Sequence, residues 1–341
     1  MANRRGGRLG GLLAALVVVV IALWLGYWYA AHAVAEKALA RFENGRGGQQ
    51  ITCADPVISG FPLRVDLNCA HGGYNAHAGK ISAALGGVRA TAPLYVPGTV
   101  NADLDGPLEI NDPARDVALT ASWSAATATA SAWISGLTGA GANFTNLKAE
   151  NAGTASGLPV SAVSADTASA AIRPDGGGSY VLVGSAHNMK LTRSAGGDLP
   201  AFDADATVTA VDVGAGLGTD PARALMTWLR AGASIKIDRL HLAANGAVVS
   251  ADGTLAISKE GILSGALVLR YSNLEALVAL AEEIDPRLRD KIPDAALQAI
   301  NALSVPVQTE DGPQRKTTLS IINGMLSVGI IPVKVLPPVR L

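Results

Sequence analysis

Cysteines, aromatic residues and charged residues are scarce in this sequence. Of its 341 residues, two are cysteines, 4% are aromatic and 16% are charged, and the formal net charge is −1 at pH 7. A nearly neutral chain has no bulk electrostatic attraction to nucleic acid, so we predict no nucleic-acid partner. The sequence also lacks a G-x-S-x-G nucleophile elbow and a P-loop lysine. We therefore predict a protein that is not an enzyme and has no catalytic residues.

The histidines and the glycine-rich loops do not supply a metal or cofactor site. His71 and His77 flank a loop, but no third ligand follows at a suitable spacing. Residues 214–218 (GAGLG) lack the spacing of a dinucleotide fingerprint, so we interpret them as a flexible connection. Residues 103–106 hint at a calcium loop, but Pro107 breaks that pattern. We predict no metal and no cofactor.

One long apolar run occupies residues 9–31 (LGGLLAALVVVVIALWLGYWYAA). As a helix it spans a hydrocarbon core of about 30 Å. Three arginines precede it within residues 1–8, and Trp24 and residues 27–29 place aromatic rings at its far end. Basic residues favour the cytoplasmic side, and aromatic rings favour the membrane interface. The pattern predicts a single-pass anchor with a cytoplasmic N-terminus and an exported remainder.

A cleaved signal peptide is the alternative interpretation of this run. Residues 31–33 (AHA) fit the small-x-small cleavage pattern. The run is longer than the apolar region of a signal peptide, and its end is aromatic, so we favour a retained anchor. Both interpretations export the rest of the chain.

The anchor divides the chain into four parts. We predict a cytoplasmic tail at 1–8, the transmembrane anchor at 9–31, a stem and linker at 32–50, and an exported β-rich domain at 51–341. Residues 34–42 are expected to extend the transmembrane helix into water. A sub-boundary near 214–220 leaves one or two exported domains open.

The two cysteines, Cys53 and Cys69, both follow the anchor. In an oxidising compartment such a pair favours a disulfide, and two buried free thiols are the alternative. Residues 51–69 predict a hairpin with its turn at 59–62, because residues 63–69 alternate between apolar and polar. Cys69 lies on the apolar face of that strand, where cross-strand pairing would bring it to Cys53.

Residues 80–213 predict many short strands, without the helix-length periods of a parallel α/β fold. The candidate strands are 81–85, 88–92, 94–96, 99–104, 118–123, 144–147, 160–164, 168–172, 180–183, 189–192 and 206–213. Residues 122–135 are ambiguous, since Ala and Thr populate them about equally. We interpret Trp123, Trp133 and Trp228 as core residues, with a lipid groove as the alternative.

The C-terminal third has clearer start and stop signals. Asp220-Pro221 predicts a helix that ends near Gly232. Strands are expected at 233–242, 247–257 and 262–271. In the first of these the apolar phase switches, so we predict a β-bulge near Asp238-Arg239.

Helices and a hairpin are predicted to follow. Residues 272–275 (SNLE) form a capping-box pattern, Asp285-Pro286 opens a further helical turn, and Pro293-Asp294 precedes a helix that ends near Leu303. Asn323-Gly324 predicts a hairpin turn between strands at 317–322 and 325–331.

Two short motifs carry a resemblance to a known family. Residues 60–69 (GFPLRVDLNC) and 323–329 (NGMLSVG), the latter followed by a proline-punctuated end, resemble the alphaproteobacterial domain-of-unknown-function 2125 family. The resemblance implies one N-terminal membrane segment and a long β-rich periplasmic region. That family has no assigned reaction, so it lends no catalytic residues. Its layout is also similar to AsmA-like envelope proteins, whose long curved sheets are linked to lipid handling.

We expect a mainly β protein in which a transmembrane helix is followed by a long curved antiparallel sheet, with helices near the C-terminal end. The predicted function is that of a non-catalytic, inner-membrane-anchored periplasmic protein. It binds an apolar ligand, with lipid as the leading candidate, in envelope maintenance or transport. The alternative is an assembly scaffold that docks other envelope proteins through exposed strand edges.

Overall fold

The computed structural model describes residues 6–43, 49–76, 81–114, 116–133, 136–152, 160–194, 196–214, 221–284 and 294–339. Helix α1 (Gly6–Glu43) opens the described chain and contains no proline. It includes residues 34–42, so the apolar helix continues past residue 31 as expected. Among the described side chains, Val18–Lys37 is a segment long and apolar enough to cross a membrane.

All the strands that follow belong to one antiparallel sheet of 21 strands. The first half of the sheet consists of β1 (Gln49–Ala54), β2 (Val57–Ser59), β3 (Arg64–Cys69), β4 (His71–Ala76), β5 (Ile81–Leu85), β6 (Val88–Pro93), β7 (Thr99–Leu104), β8 (Leu108–Asp112), β9 (Val117–Ser122), β10 (Ala125–Trp133) and β11 (Gly136–Asn151).

These early strands form an up-and-down meander of long strands, each broken in the middle. β1 pairs with β4 while β2 pairs with β3, so β1–β2 and β3–β4 are the halves of two neighbouring long strands. The same pattern continues through β5–β6, β7–β8 and β9–β10, and both β9 and β10 then pair with β11.

The breaks lie side by side and form a crease across the sheet. We define the crease as residues 55–56, 70, 86–87, 105–107 and 123–124. Asp55 has a positive φ of 50°, and a side chain at Gly86 would clash with the backbone of residues 105–106. Local irregularities of this kind bend a sheet and increase its twist.

The second half of the sheet is interleaved with helices. Its elements are β12 (Val160–Gly176), β13 (Ser179–Arg193), β14 (Phe202–Val211), α2 (Pro221–Ala231), β15 (Ala233–Ala244), β16 (Ala247–Ile257), β17 (Leu263–Tyr271), α3 (Leu274–Ile284), α4 (Asp294–Leu303), β18 (Val305–Thr309), β19 (Gly312–Ile322), β20 (Met325–Val328) and β21 (Ile331–Val335). β14 pairs with β15, so the sheet continues past residues 214–220.

The sheet is open, and its connections are short where turn residues allow it. β1 and β2 lie at one edge and β21 at the other. Asn245-Gly246 and Asn323-Gly324 both have positive φ, the conformation that a two-residue hairpin turn requires. This confirms the predicted turn at Asn323-Gly324. The mainly β fold with one long open antiparallel sheet is also confirmed.

Several predicted strands are segments of longer ones. Residues 160–164 and 168–172 both lie in β12, and residues 180–183 and 189–192 both lie in β13. The ambiguous stretch 122–135 contains β10.

Other strand predictions need correction. Residues 94–96 form a turn instead of a strand, where the Val96 amide donates to the Pro93 carbonyl oxygen at 3.2 Å. β4, β8 and β18 were not predicted. β4 (HGGYNA) is rich in Gly and Asn, residue types that are depleted in strands.

The predicted bulge is confirmed at its predicted position. Thr207 pairs with Arg239 and Val208 with Ile237, which leaves Asp238 as the extra residue.

The predicted helix at 272–275 begins where expected, but a different residue caps it. The Asn273 side chain accepts a hydrogen bond from the Ala276 amide at 3.2 Å, while the Ser272 hydroxyl accepts one from the Val248 amide at 2.9 Å. The Ser272 side chain therefore bonds to β16 and does not cap the helix. The helical turn predicted at Asp285-Pro286 lies outside the described residues.

Candidate functional site

The cross-strand register places one row of apolar side chains along a single face of the sheet. Residues directly opposite each other in an antiparallel pair point to the same face. From β2 to β17 the row reads Ile58, Leu67, Ala90, Ala102, Ala128, Ala142, Ala170, Gly184, Ala206, Leu240, Ala251 and Leu269. We call the surface that contains this row the apolar face.

A second row continues the apolar face on the other side of the crease. It reads Cys53, Gly72, Leu85, Leu108, Ala121, Ala149, Val163 and Leu191. The two sides meet: a side chain at Gly72 would contact both Val88 and Leu85, and the Trp123 and Phe144 rings pack edge to face at 5.4 Å. The apolar face is therefore continuous across the crease.

The opposite face of the same strands is polar. Thr91 donates a hydrogen bond to the Asp66 carboxylate at 2.8 Å, and Thr129 donates to the Asn101 side-chain oxygen at 3.0 Å. Each of these bonds links residues that are cross-strand partners. We call this surface the polar face.

Over β9 and β10 the apolar face is the more buried of the two faces. On β9 and β10, Ala121 and Ala126 are buried, whereas their polar-face neighbours Thr120, Ser122 and Thr127 are exposed. The described helices pack chiefly against early and late strands: α1 on β1 and β3, α2 on β15, α3 on β16, and α4 on β20 and β21. We call the part of the apolar face between these helices the trough.

Helices near the C-terminus cover one end of the trough. The Tyr271 ring is buried, and its hydroxyl donates to the Ile300 carbonyl oxygen in α4 at 3.4 Å. α3 lies over the short residues Ala244 and Ala247 of the apolar face. Along the middle of the trough, Leu182 and Leu240 are more than two-fifths exposed. The part of the trough that no described helix covers therefore exposes aliphatic side chains.

The two cysteines form the predicted disulfide, at the start of the apolar face. The sulfur atoms of Cys53 and Cys69 are 1.96 Å apart, and both residues are buried. The predicted route to this pairing is wrong, because Cys53 lies opposite Gly72 and not in the hairpin partner of β3. The bond instead joins β1 to β3, two strands that do not pair with each other.

The three tryptophans outside α1 have different surroundings. Trp123 lies half-buried at the crease and donates a hydrogen bond to the Leu104 carbonyl oxygen at 2.8 Å. Trp228, a residue of α2, is buried and donates a hydrogen bond to the Val211 carbonyl oxygen at 2.9 Å. Trp133 is exposed at the end of β10, so its interpretation as a core residue is wrong.

The described histidines remain dispersed. His32 stacks on Trp28, His187 lies 3.7 Å from the Asp203 carboxylate, and His241 lies 3.9 Å from that of Asp311. His77 and residues 215–218 lie outside the described residues. Within the described parts of the chain no three His, Cys, Asp or Glu side chains are placed to hold a metal ion. Asp105 of the calcium-like loop instead pairs with Arg89, which raises the pKa of that guanidinium.

A polar cavity of about 370 Å³ lies on the polar face near β18. Gln314 lines it and is only 4% exposed, and its side-chain amide has no hydrogen-bond partner among the described residues. Charges of both signs line it: Asp252 forms an ion pair with Arg270, and Arg239 and Glu310 also lie at its wall. The cavity therefore defines no single class of ligand.

Fold and site together define a protein with one apolar N-terminal helix and one long open sheet, one face of which carries a continuous row of apolar side chains. Residues 27–337 match the family described as "Uncharacterized protein conserved in bacteria (DUF2125)". The chain belongs to this family. No curated protein and no solved structure gives a significant match to the chain.

Proposed function

We propose that this protein is a non-catalytic, single-pass bacterial inner-membrane protein whose periplasmic sheet binds the acyl chains of lipids. Its role is then envelope maintenance or lipid transport. The observation that supports this most directly is the trough. There, apolar residues lie side by side on one face of twelve paired strands, from β2 to β17.

The trough is long enough to hold an acyl chain. Neighbouring strands are about 4.8 Å apart, so a row across twelve strands extends about 50 Å. Each methylene group removed from water is worth about 0.8 kcal/mol. Alanine and glycine along the centre of the row leave space above the backbone that larger side chains would fill.

The first helix supports the proposed localisation in the inner membrane. An apolar helix preceded by arginines favours a cytoplasmic N-terminus, which exports the sheet. A disulfide between Cys53 and Cys69 suits an oxidising compartment such as the periplasm.

A matched pair of substitutions tests lipid binding. Ala170 and Ala171 are neighbours in β12, both exposed, and they lie on the apolar face and the polar face respectively. The full chain carrying Ala170→Asp should lose lipid that co-purifies in native mass spectrometry, because a carboxylate in the trough must be desolvated by an acyl chain. Ala171→Asp should retain the lipid of the unmodified protein.

Lipid that surrounds the anchor is common to both variants and cancels in this comparison. Equal lipid content in the two variants, with both folded by circular dichroism, would contradict binding in the trough.

A second candidate function, an assembly scaffold, is favoured by the edge formed by β20 and β21. Ile330 in the turn between them is 91% exposed, and Ile322 and Val335 are also exposed. Exposed apolar edges invite pairing with another chain. Site-specific photocrosslinking from position 330 in cells tests it, with position 116 in the β8–β9 turn as control. Discrete protein adducts only at position 330 would support the scaffold.

A further inference from the structure

Three hairpin turns meet at one end of the sheet, next to α1. Since successive long strands alternate in direction, the β2–β3, β6–β7 and β10–β11 turns lie at the same end. The Leu94 amide donates to the Leu63 carbonyl oxygen at 3.0 Å, and the Thr99 and Ser131 hydroxyls are 3.0 Å apart. The three turns are thus neighbours, and we call them the membrane-side tips.

The membrane-side tips expose large apolar side chains. Tyr95 is 72% exposed, and Phe61, Leu63, Val96 and Trp133 are also exposed. At the opposite end, the described residues of the β8–β9 and β15–β16 turns, 113–114, 116 and 245–246, are Pro, Ala, Asp, Asn and Gly. These two turns expose no large apolar side chain among their described residues.

The aromatic end of α1 is bound to these tips. The Trp24 and Trp28 indoles donate to the Pro62 and Arg64 carbonyl oxygens at 3.0 and 3.1 Å. The Tyr27 hydroxyl donates to the Leu94 carbonyl oxygen at 3.4 Å, and the Phe61 ring packs on Trp28 at 5.2 Å.

These contacts determine how deep the tips lie relative to the bilayer that would hold α1. Tryptophan and tyrosine at the end of an apolar helix lie at the level of the lipid headgroups. Trp24 lies about one helical turn, roughly 6 Å, nearer the bilayer centre than Trp28. Because Trp24 holds Pro62, the β2–β3 tip reaches at least to headgroup level.

We infer that the membrane-side tips insert their exposed apolar side chains into the outer surface of the bilayer that holds α1. The sheet then stands with this end on the membrane. The inference rests on the membrane anchorage proposed above, but not on lipid binding in the trough. Its partner is a phospholipid surface, continuous with the one around the anchor.

An environment-sensitive fluorophore tests the inference on the full chain. The described chain has no free cysteine, so a single introduced cysteine can be labelled with NBD. Tyr95→Cys reports on a tip, Lys259→Cys on the polar β16–β17 turn at the same end, and Ala114→Cys on the opposite end. All three positions are exposed. The proteins are reconstituted in phosphatidylcholine–phosphatidylglycerol vesicles containing headgroup-proximal doxyl lipid.

The expected result is about twofold quenching at position 95, where an interfacial side chain meets the doxyl group, and none at positions 259 and 114. No quenching at position 95 would overturn the inference if the protein resists carbonate extraction. Release by carbonate would instead overturn the anchorage itself. Quenching at position 95 that persists with Ala170→Asp would show the contact to be independent of the trough.

Discussion

Side-chain size, more than hydrophobicity alone, defines the apolar face. Alanine is depleted in strands, yet Ala102, Ala128, Ala142 and Ala170 occupy successive strands of one row, and Ala206 follows after Gly184. They contribute less cross-strand packing than valine or isoleucine would. Their small methyl groups leave open space above the backbone while keeping the surface apolar.

The disulfide is expected to stabilise the first strands. Replacing both Cys53 and Cys69 by alanine should lower the free energy of unfolding by roughly 3 kcal/mol in the chain-entropy model. Urea titration of the full chain with and without dithiothreitol measures this. Dithiothreitol should destabilise the unmodified protein and leave the double variant unchanged. Equal stability of both under oxidising conditions would contradict the prediction.

Asp238 links stability to pH at the bulge. Its carboxylate accepts hydrogen bonds from Lys236 at 2.6 Å and from Thr209 at 2.7 Å, which lower its pKa. A pKa below that of the unfolded chain stabilises the fold above about pH 4, and this contribution is lost as pH falls through the depressed pKa.

Asp238→Asn should therefore lower the free energy of unfolding at pH 7, by up to about 1 kcal/mol because the pair is partly solvated. At pH 2 the variant and the unmodified protein should unfold alike. Glu109→Gln, an exposed carboxyl group on the polar face, is the control for loss of charge alone. A pH-independent difference for Asp238→Asn would exclude the proposed linkage.

At the scale of elements, glycine has different functions in different strands of the sheet. Gly253 in β16 has a φ of 152°, and a side chain there would clash with the Ala266 carbonyl oxygen. Gly184 in β13 has room, since the nearest atom to an added methyl group would be the Ser169 carbonyl oxygen at 3.7 Å.

Gly253→Ala should therefore destabilise the protein by about 1–3 kcal/mol through backbone strain. Gly184→Ala should be neutral or slightly stabilising, because it reduces the entropy of the unfolded chain. Thermal unfolding of the two variants measures the difference. Similar melting temperatures for both would show that β16 relaxes around the new methyl group.

Sequence patterns predicted elements where one residue type decides the local structure. The phase switch between Ile237 and Leu240 predicted the bulge, and Asn323-Gly324 predicted its turn. The crease was not predicted because residues such as Gly86 and Pro107 are also typical of ordinary turns between strands. Polar and small residues inside β12 and β13 were interpreted as turns for the same reason, so each long strand was predicted as two short ones.

The trough could not be predicted from local patterns at all. In residues 122–135, Ala and Thr alternate without a strong contrast in hydrophobicity, so no period stands out. Which face is apolar becomes visible only when the register joins Ala128 to Ala102 on one side and to Ala142 on the other. This register depends on turns and bulges far along the chain.

At the scale of the whole molecule, the proposed anchorage would place one apolar face of a continuous sheet beside a membrane. The helices near the C-terminus cover one end of that surface, and the membrane-side tips lie next to α1. This arrangement suits a protein that receives an acyl chain from the bilayer and shelters it above the surface. Lipid contact in the trough is the central claim of this account.

Leu182 and Val183 allow the most direct test of that claim. They are neighbours in β13 with similar exposure, 43% and 38%, but they lie on the apolar face and the polar face respectively. A benzophenone amino acid placed at either position of the full chain, irradiated in native membranes, should form lipid adducts at position 182 and not at position 183. Equal lipid adducts at both positions, or none at either, would contradict it.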